Sequence, residues 1–500
     1  MRLFPCLCSL FICAAFPANS SAAVQLGSEV LASGGFRELE GKRVGLVTNP
    51  SGANRQGEST IDLLRGAPKV KLVALFSPEH GVDGLTRAGN VVTQAIHRAS
   101  GLPVHSLYGA TRKPTPAMLK GLDTLVYDLQ DTGCRSYTFI STLGLAMEAC
   151  AESGVAFVVL DRPNPLGGMR IEGPLLDPSF RSFVGQWEIP YVYGLTCGEL
   201  ARMIDGETWI AKPCQLTVIP MRGWERSMVW QETGLPWIAT SPNVPRVSSV
   251  FGYSAIGVFG EIAGGSGITI GTGFQRPFEC IAAPWLNADI LSRTLNGYGL
   301  PGLRFAPFRT RFRDQSYEGV ELVYTDPRTA PLYPVNFYLH NAIRQATGRD
   351  LFAEAVRSGR SFSMFDRVNG TDKTRENLAA GRTAADLARS WQADENQFRT
   401  RRKPYLLYPE PKPIASSARR STQPAQTPTP PARPNSIPTS QPAPAAAAVG
   451  HFLITIRRGD TLSKIAKDLG TSVSEIVEAN PGMDAHRIRV GQQIKVPRKR

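Results

Sequence analysis

The chain has 500 residues, a formal net charge of +14 and a pI near 9.5. That length excludes a single ordinary core, so two or more domains are expected. The basic balance suits an anionic partner, whether nucleic acid, acidic polymer or cell envelope, without choosing among them.

The first residues, MRLFPCLCSLFICAAFPANSSAAV, join a basic start to an apolar core from Leu3 to Phe16 and a small-residue exit at Ser21-Ala22-Ala23. This pattern predicts a secretory signal over 1–23 rather than a membrane span, since the run is short and nothing similar follows. A periplasmic or secreted protein is therefore expected, with no integral membrane segment after signal removal. Of the eight cysteines, Cys6, Cys8 and Cys13 leave with the signal, and the remaining five are scattered without metal-site spacing. Buried thiols are expected there, with room for two disulfides at most.

Apolar runs at Arg43 to Val47, Val70 to Phe76, Thr124 to Leu129 and Val155 to Leu160 read as buried strands. Helical or polar material separates them, at Ile61 to Leu64, Ala117 to Leu119 and Ser141 to Glu152. The last of these places Leu143, Ala146, Met147 and Cys150 on one face, with Gly154 as its stop. The alternation predicts an α/β fold, a Rossmann-like doubly wound parallel sheet spanning 24–216.

Each strand ends on polar residues: Asn49 after the first, Glu79 and His80 after the second, Gln130 and Asp131 after the third, Asp161 and Arg162 after the fourth. Ligands of open α/β sheets sit beyond the carboxyl ends of the strands, so these residues share the chemically active rim. Turn chemistry accounts equally well for Asn49 and Asp161, and less well for Glu79. No GxGxxG follows Val47 and no GxxxxGK[ST] occurs, so no nucleotide cofactor is expected. The glycine-rich run from Gly264 to Gly273 reads as a loop lining a cleft or as a plain linker.

From 217 to 408 the texture turns irregular and rich in Trp and Pro. Strands at Arg304 to Phe312 and Val320 to Tyr324 and helices at Val335 to Ala346 and Ala384 to Gln397 predict a second, smaller α+β lobe closing the cleft. Residues 409–449 are a Pro/Ala-rich stretch too poor in apolar bulk to fold, hence a disordered linker. Residues 450–500 read as a compact strand, two short helices and a strand.

That tail resembles a LysM module through Ile454 to Ile456, Arg458-Gly459-Asp460-Thr461-Leu462, Ile465-Ala466, Ile476, Asn480-Pro481 and Val490-Gly491-Gln492 to Pro497. The resemblance implies a βααβ domain binding N-acetylglucosamine-containing glycan between the Gly459, Asp460, Thr461, Leu462 loop and the Asn480-Pro481 turn. The larger body is similar to the NamZ-type exo-β-N-acetylmuramidases. The matching blocks are Val44 to Gly52, Leu75 to Gly81, Ser106 to Gly109, Tyr127 to Thr138, Asp161 to Pro165, Glu172 to Pro174, Ser241 to Pro245 and Pro277 to Trp285. This likeness implies removal of N-acetylmuramic acid from the non-reducing end of peptidoglycan fragments. One departure is the run Glu261 to Gly273, longer and richer in glycine than the family's acid-and-arginine loop.

Glycosidic cleavage needs an acid to protonate the leaving oxygen, and a second carboxylate or a substrate acetamide on the other face. Glu79 is the expected acid, tuned by His80, with Asp128 and Asp131 as candidates for the second carboxylate. Pairing of Glu79 with Arg135 or Arg162 is the structural alternative. Asn49, Gln130, Arg135, Tyr137, Arg162, Asn164, Glu172 and Asn243 are the expected sugar contacts, with an arginine fork for the lactyl carboxylate. No metal, cofactor or nucleic acid is expected, and peptidoglycan is the expected partner. An amidase or esterase acting on the same polymer, or a muropeptide binder without turnover, are the competing readings; the GxSxG elbow that would favour an esterase is absent.

Overall fold

A computed structural model describes residues 24–87, 89–90, 95–410, 451–455, 466, 473–480 and 492–497. The expected signal, nearly all of the expected linker, and Gly459, Asp460, Thr461, Leu462 and Pro481 lie outside them. The chain divides at Ala415 into two compact units.

The first unit is built on strands β1 (Arg43–Thr48), β2 (Lys71–Ser77), β3 (Ala95–Ile96), β4 (Pro103–Ser106), β5 (Thr124–Asp128), β6 (Ala156–Leu160) and β7 (Leu216–Ile219). They lie in the order β3-β4-β2-β1-β5-β6-β7, and every neighbouring pair is parallel except β3 with β4. Without the short β3, this is the Rossmann order, with β1 at the centre. Alternation sends Val44, Leu46, Val126 and Val158 to one face, covered by Leu31 of α1 (Gly27–Ser33) and Ile61 and Leu64 of α2 (Thr60–Gly66). Val47, Phe76, Tyr127 and Phe157 point the other way. After the one-turn α3 (Pro116–Leu119), helices α4 (Phe139–Ser153) and α5 (Cys197–Gly206) cover that second face. Gly154 ends α4 in the left-handed conformation at φ 69°.

The lobe boundary expected at 216/217 falls inside β7, whose ladder to β6 pairs Phe157 with Leu216 and Leu160 with Ile219. The first lobe therefore extends past that point. The second half opens with α6 (Val247–Ala263), then β8 (Cys280–Ala283), α7 (Ala288–Asn296), β9 (Leu303–Phe312), β10 (Gln315–Tyr324), α8 (Val335–Thr347), α9 (Leu351–Arg357) and α10 (Ser363–Asn369). Its strands form an antiparallel sheet in the order β8-β10-β9. The single helix expected over Ala384 to Gln397 is two, Ala384–Ser390 and Gln392–Arg401, broken at Trp391. The Trp391 ring packs 4.7 Å from Tyr333 and 5.5 Å from Phe337. One hydrophobic core runs from Tyr127 and Phe157 of the sheet through Ile256 of α6 to Phe337 and Trp391, so the halves are welded rather than hinged by a polar seam.

In the tail, β11 (His451–Thr455) pairs antiparallel with β12 (Gln493–Pro497), and Ile476 of the helix Val473–Glu478 is buried together with Ile494 and Val496. The Asn480 side chain, expected in the glycan groove, is committed to backbone. Its amide donates to the carbonyls of Ile476 and Lys495, each at 2.7 Å, and its oxygen accepts the Lys495 N–H at 2.8 Å. It fastens a helix end to β12.

Candidate active site

At the end of β2, Pro78 cannot extend the ladder, and the chain turns through His80 and Gly81 with φ of 75° and 83°. A left-handed histidine costs roughly 1–2 kcal/mol, and the turn aims two successive side chains into the same space. Glu79 accepts the Thr138 hydroxyl on Oε2 at 2.7 Å and the Gly89 N–H on Oε1 at 3.0 Å. His80 Nδ1 lies 2.8 Å from the Thr86 carbonyl oxygen. A carbonyl only accepts, so Nδ1 carries the proton and Nε2 is the acceptor of the neutral ring.

Both side chains line a cavity of about 350 Å³, whose other walls include Tyr108, Tyr137, Thr138, Phe183, Asn243, Tyr253 and Phe278. Small-molecule sites run from about 300 to 1,000 Å³, so this one suits a single sugar ring. The rings of Tyr137 and Tyr253 meet edge-on at 5.7 Å, and those of Tyr253 and Phe278 at 5.1 Å. Phe278, like His80, is left-handed, at φ 62°. Burial pushes the Tyr137 and Tyr253 phenols well above their usual range. Burial, then the Glu79 charge, raises Tyr108 to about 12. These hydroxyls stay protonated at neutral pH; that of Tyr137 donates to the Thr240 hydroxyl at 2.8 Å, and that of Tyr253 lies 3.0 Å from the Ser136 hydroxyl.

Of the residues expected at the site, Glu79, His80, Tyr137 and Asn243 line this cavity and the others do not. Asp128 is fully buried under an Arg162 fork, at 2.5 Å to Oδ1 and 3.0 Å to Oδ2, with the Thr60 hydroxyl on Oδ2. That ion pair binds the end of β5 to the segment after β6. Asp131 accepts the Gly133 N–H at 2.6 Å and the Tyr193 hydroxyl, and burial raises its carboxyl to about 6. Neither aspartate lines the cavity that Glu79 faces.

Arg135 is fully buried, and its guanidinium donates to the carbonyls of Pro174, Ile189, Val368 and Asn369. Asn49 donates to the Thr240 carbonyl at 3.2 Å and accepts from Ser51. Gln130 donates to the carbonyls of Asp131 and Pro163, and Asn164 to that of Leu195. Glu172 accepts the N–H groups of Leu332 and Tyr333. All are fasteners between loops. The glycine-rich run also stays outside the cavity: Thr269 bridges to Ala282, and the Trp285 indole donates to the Ser266 carbonyl at 2.9 Å.

The cavity's cations, missed in the sequence, are Arg112 and Arg367. Arg112 follows β4, a four-residue strand with no apolar run to announce it. Placing Tyr108 and Arg112 beyond a strand end would have required seeing that strand. Arg367 reaches the site from α10 and carries no local signal at all.

Among the described residues one carboxyl, that of Glu79, faces a sugar-sized, ring-walled cavity on a Rossmann sheet without a phosphate turn after β1, an arrangement that fits a glycoside-cleaving α/β enzyme better than a nucleotide-binding one. The chain belongs to the NamZ exo-β-N-acetylmuramidase family. Models of the N-terminal and C-terminal domains of exo-β-N-acetylmuramidase NamZ match residues 44–248 and 251–408, and the LysM domain model matches 454–497. The chain is 40% identical to the peptidoglycan β-N-acetylmuramidase NamZ of Bacillus subtilis (strain 168) over 390 residues, 77% of this chain and 91% of that protein. Two crystal structures of DUF1343 family proteins from Bacteroides fragilis are also similar. One is 44% identical with a TM-score of 0.71, covering 77% of this chain and 99% of the other. The second is 30% identical with a TM-score of 0.60, covering 78% and 100%.

Proposed function

We propose that this protein removes N-acetylmuramic acid from the non-reducing end of peptidoglycan fragments in the cell envelope, outside the cytoplasm, with the LysM domain holding it on wall glycan. The observation that carries this reading is the position of Glu79, whose carboxyl is the only one lining the cavity among the described residues. Protonated Glu79 donates to the glycosidic oxygen as the bond to the anomeric carbon breaks. Because neither Asp128 nor Asp131 lines the cavity, the substrate's own acetamide oxygen is the group left to form a bond to that carbon from the opposite face. Its N–H finds an acceptor in His80 Nε2. The Glu79 carboxylate then takes a proton from the water that opens the cyclic intermediate, restoring the acid. Tyr137, Tyr253 and Phe278 hold the sugar against their rings, and Asn243 supplies an amide for its hydroxyls.

Among the described residues no three His, Cys, Asp or Glu side chains gather as metal ligands, so nothing in the site favours a metal-dependent amidase over this reading. The test is turnover of a chromogenic N-acetylmuramide. Glu79→Gln should retain the fold and lower kcat by about 10²–10⁴-fold. Wild-type turnover by that variant removes Glu79 from the mechanism.

A further inference from the structure

The reading above rests on a glycosidase but does not say how muramic acid is told from N-acetylglucosamine, which differs only in lacking the lactyl ether and its carboxylate. We infer that Arg112 is the receptor for that carboxylate and hence the residue that makes the site selective for muramic acid.

Arg112 is exposed toward the cavity, and its guanidinium carbon lies 4.5 Å from the centre of the Phe183 ring and 5.7 Å from that of Tyr108. The two rings are 5.8 Å apart, so the cation is held against a pair of aromatic faces. The surrounding loop is fixed. The Lys113 ammonium sits between Glu148 at 2.9 Å and Glu152 at 2.8 Å on α4, and the Thr111 hydroxyl donates to the Lys113 carbonyl at 2.6 Å. Phe183 is pinned through its carbonyl by the Ser141 hydroxyl at 2.8 Å. The two nearby glutamates are thus claimed by Lys113, and Glu79 is taken up by Thr138 and Gly89. Among the described residues no carboxylate pairs with Arg112, which leaves a planar fork, oriented beforehand by rings and open to the cavity. Such a fork matches a carboxylate through two parallel hydrogen bonds.

Arg367 offers the same charge without the same preparation. It is exposed on α10, and no ring or hydrogen bond among the described residues fixes its guanidinium. The cost of ordering a receptor is already met at Arg112 and not at Arg367.

The experiment uses the full-length protein and matched chromogenic glycosides of N-acetylmuramic acid and of its lactyl methyl ester, which keeps the shape and loses the charge. Wild type should prefer the free acid in kcat/KM by about a hundredfold, the scale of a charge-assisted pair. Arg112→Met should abolish that preference mainly through KM, and Arg112→Lys, which keeps charge but loses the fork, should retain about a tenfold preference. An Arg112→Met enzyme that still prefers the free acid by the wild-type factor overturns the assignment. So does loss of the preference in Arg367→Met with its retention in Arg112→Met. A wild type that cleaves neither glycoside overturns the glycosidase reading itself, and the receptor with it; a wild type that cleaves both equally overturns the receptor alone.

Discussion

Arg135 separates a ligand from a fastener, and its replacement by methionine gives the two roles opposite outcomes. The guanidinium is 0% exposed and donates to Pro174 O at 2.8 Å, Ile189 O at 2.6 Å, Val368 O at 3.2 Å and Asn369 O at 2.5 Å. Burial lowers its pKa to about 10, so it remains charged at neutral pH. Two of its acceptors are the orphan carbonyls at the end of α10, the helix that carries Met364 and Arg367 into the cavity. Each hydrogen bond to a charged group contributes about 1.5–3 kcal/mol, and the stranded carbonyls would be dry. Because the four bonds share one group, their loss is not additive. Arg135→Met should destabilise the body by about 3–5 kcal/mol, the scale for removing one side of a buried charged contact. Urea unfolding followed by tryptophan fluorescence measures this cleanly, since all seven tryptophans lie between Trp187 and Trp391 and none in the tail. A shift under about 1 kcal/mol together with lost muramide binding would refute the fastener role and restore Arg135 as a substrate contact.

Two further outcomes follow from buried acids. Asp131 is raised by burial from 3.8 to about 6, so between pH 4 and 6 the folded protein keeps a proton that the unfolded chain has released. Stability should therefore fall by about 3 kcal/mol as pH rises through that window and level off above it. Asp131→Asn, still able to accept from Tyr193 and Gly133, should lack this share of the fall in urea midpoints; parallel profiles for the two proteins would show that the carboxyl is ionised throughout. Asp161 accepts the Tyr408 hydroxyl at 2.6 Å, and Glu199 the Leu407 N–H at 2.9 Å. A chain ending at Glu410 should keep the body's stability and its hydrolysis of small glycosides while losing retention on wall sacculi. One ending at Pro404 should lose about 2–4 kcal/mol as well. Equal urea midpoints for the two truncations would show that the Leu407–Tyr408 strap is idle.

Much of the sheet was readable because both-face burial writes itself as an apolar run: β1, β2, β5 and β6 fall within one or two residues of the expected bounds. The short β4 and β7 were not, since Pro103–Ser106 and Leu216–Ile219 carry too few apolar residues to stand out. Helix α6 escaped for the opposite reason. Its sequence, VSSVFGYSAIGVFGEIA, is buried on nearly every side and shows no polar face for a helical period to reveal. At the site, Glu79 and His80 were legible because an acid and a histidine follow an apolar strand with no turn preference to explain the acid. The arginines were not. Arg135 meets Asn369, 234 positions away, and nothing within its own segment distinguishes it from Arg112.

The same separation explains where the cavity lies. In a Rossmann sheet the crevice opens at the switch between β1 and β5, yet here that place is sealed. Asn49 ties the end of β1 to Thr240, Gln130 ties the end of β5 to Pro163, and Arg162 closes over Asp128. Most of their polar groups are met by one another and by backbone, and none of these residues lines the cavity. The ends of β2 and β4 are different: Glu79, His80, Tyr108 and Arg112 face open space, walled from the other half by Tyr253, Phe278 and Met364. Polar residues at strand ends thus do two jobs that composition cannot tell apart, and the open side of the lip is found only by asking which of them border free space.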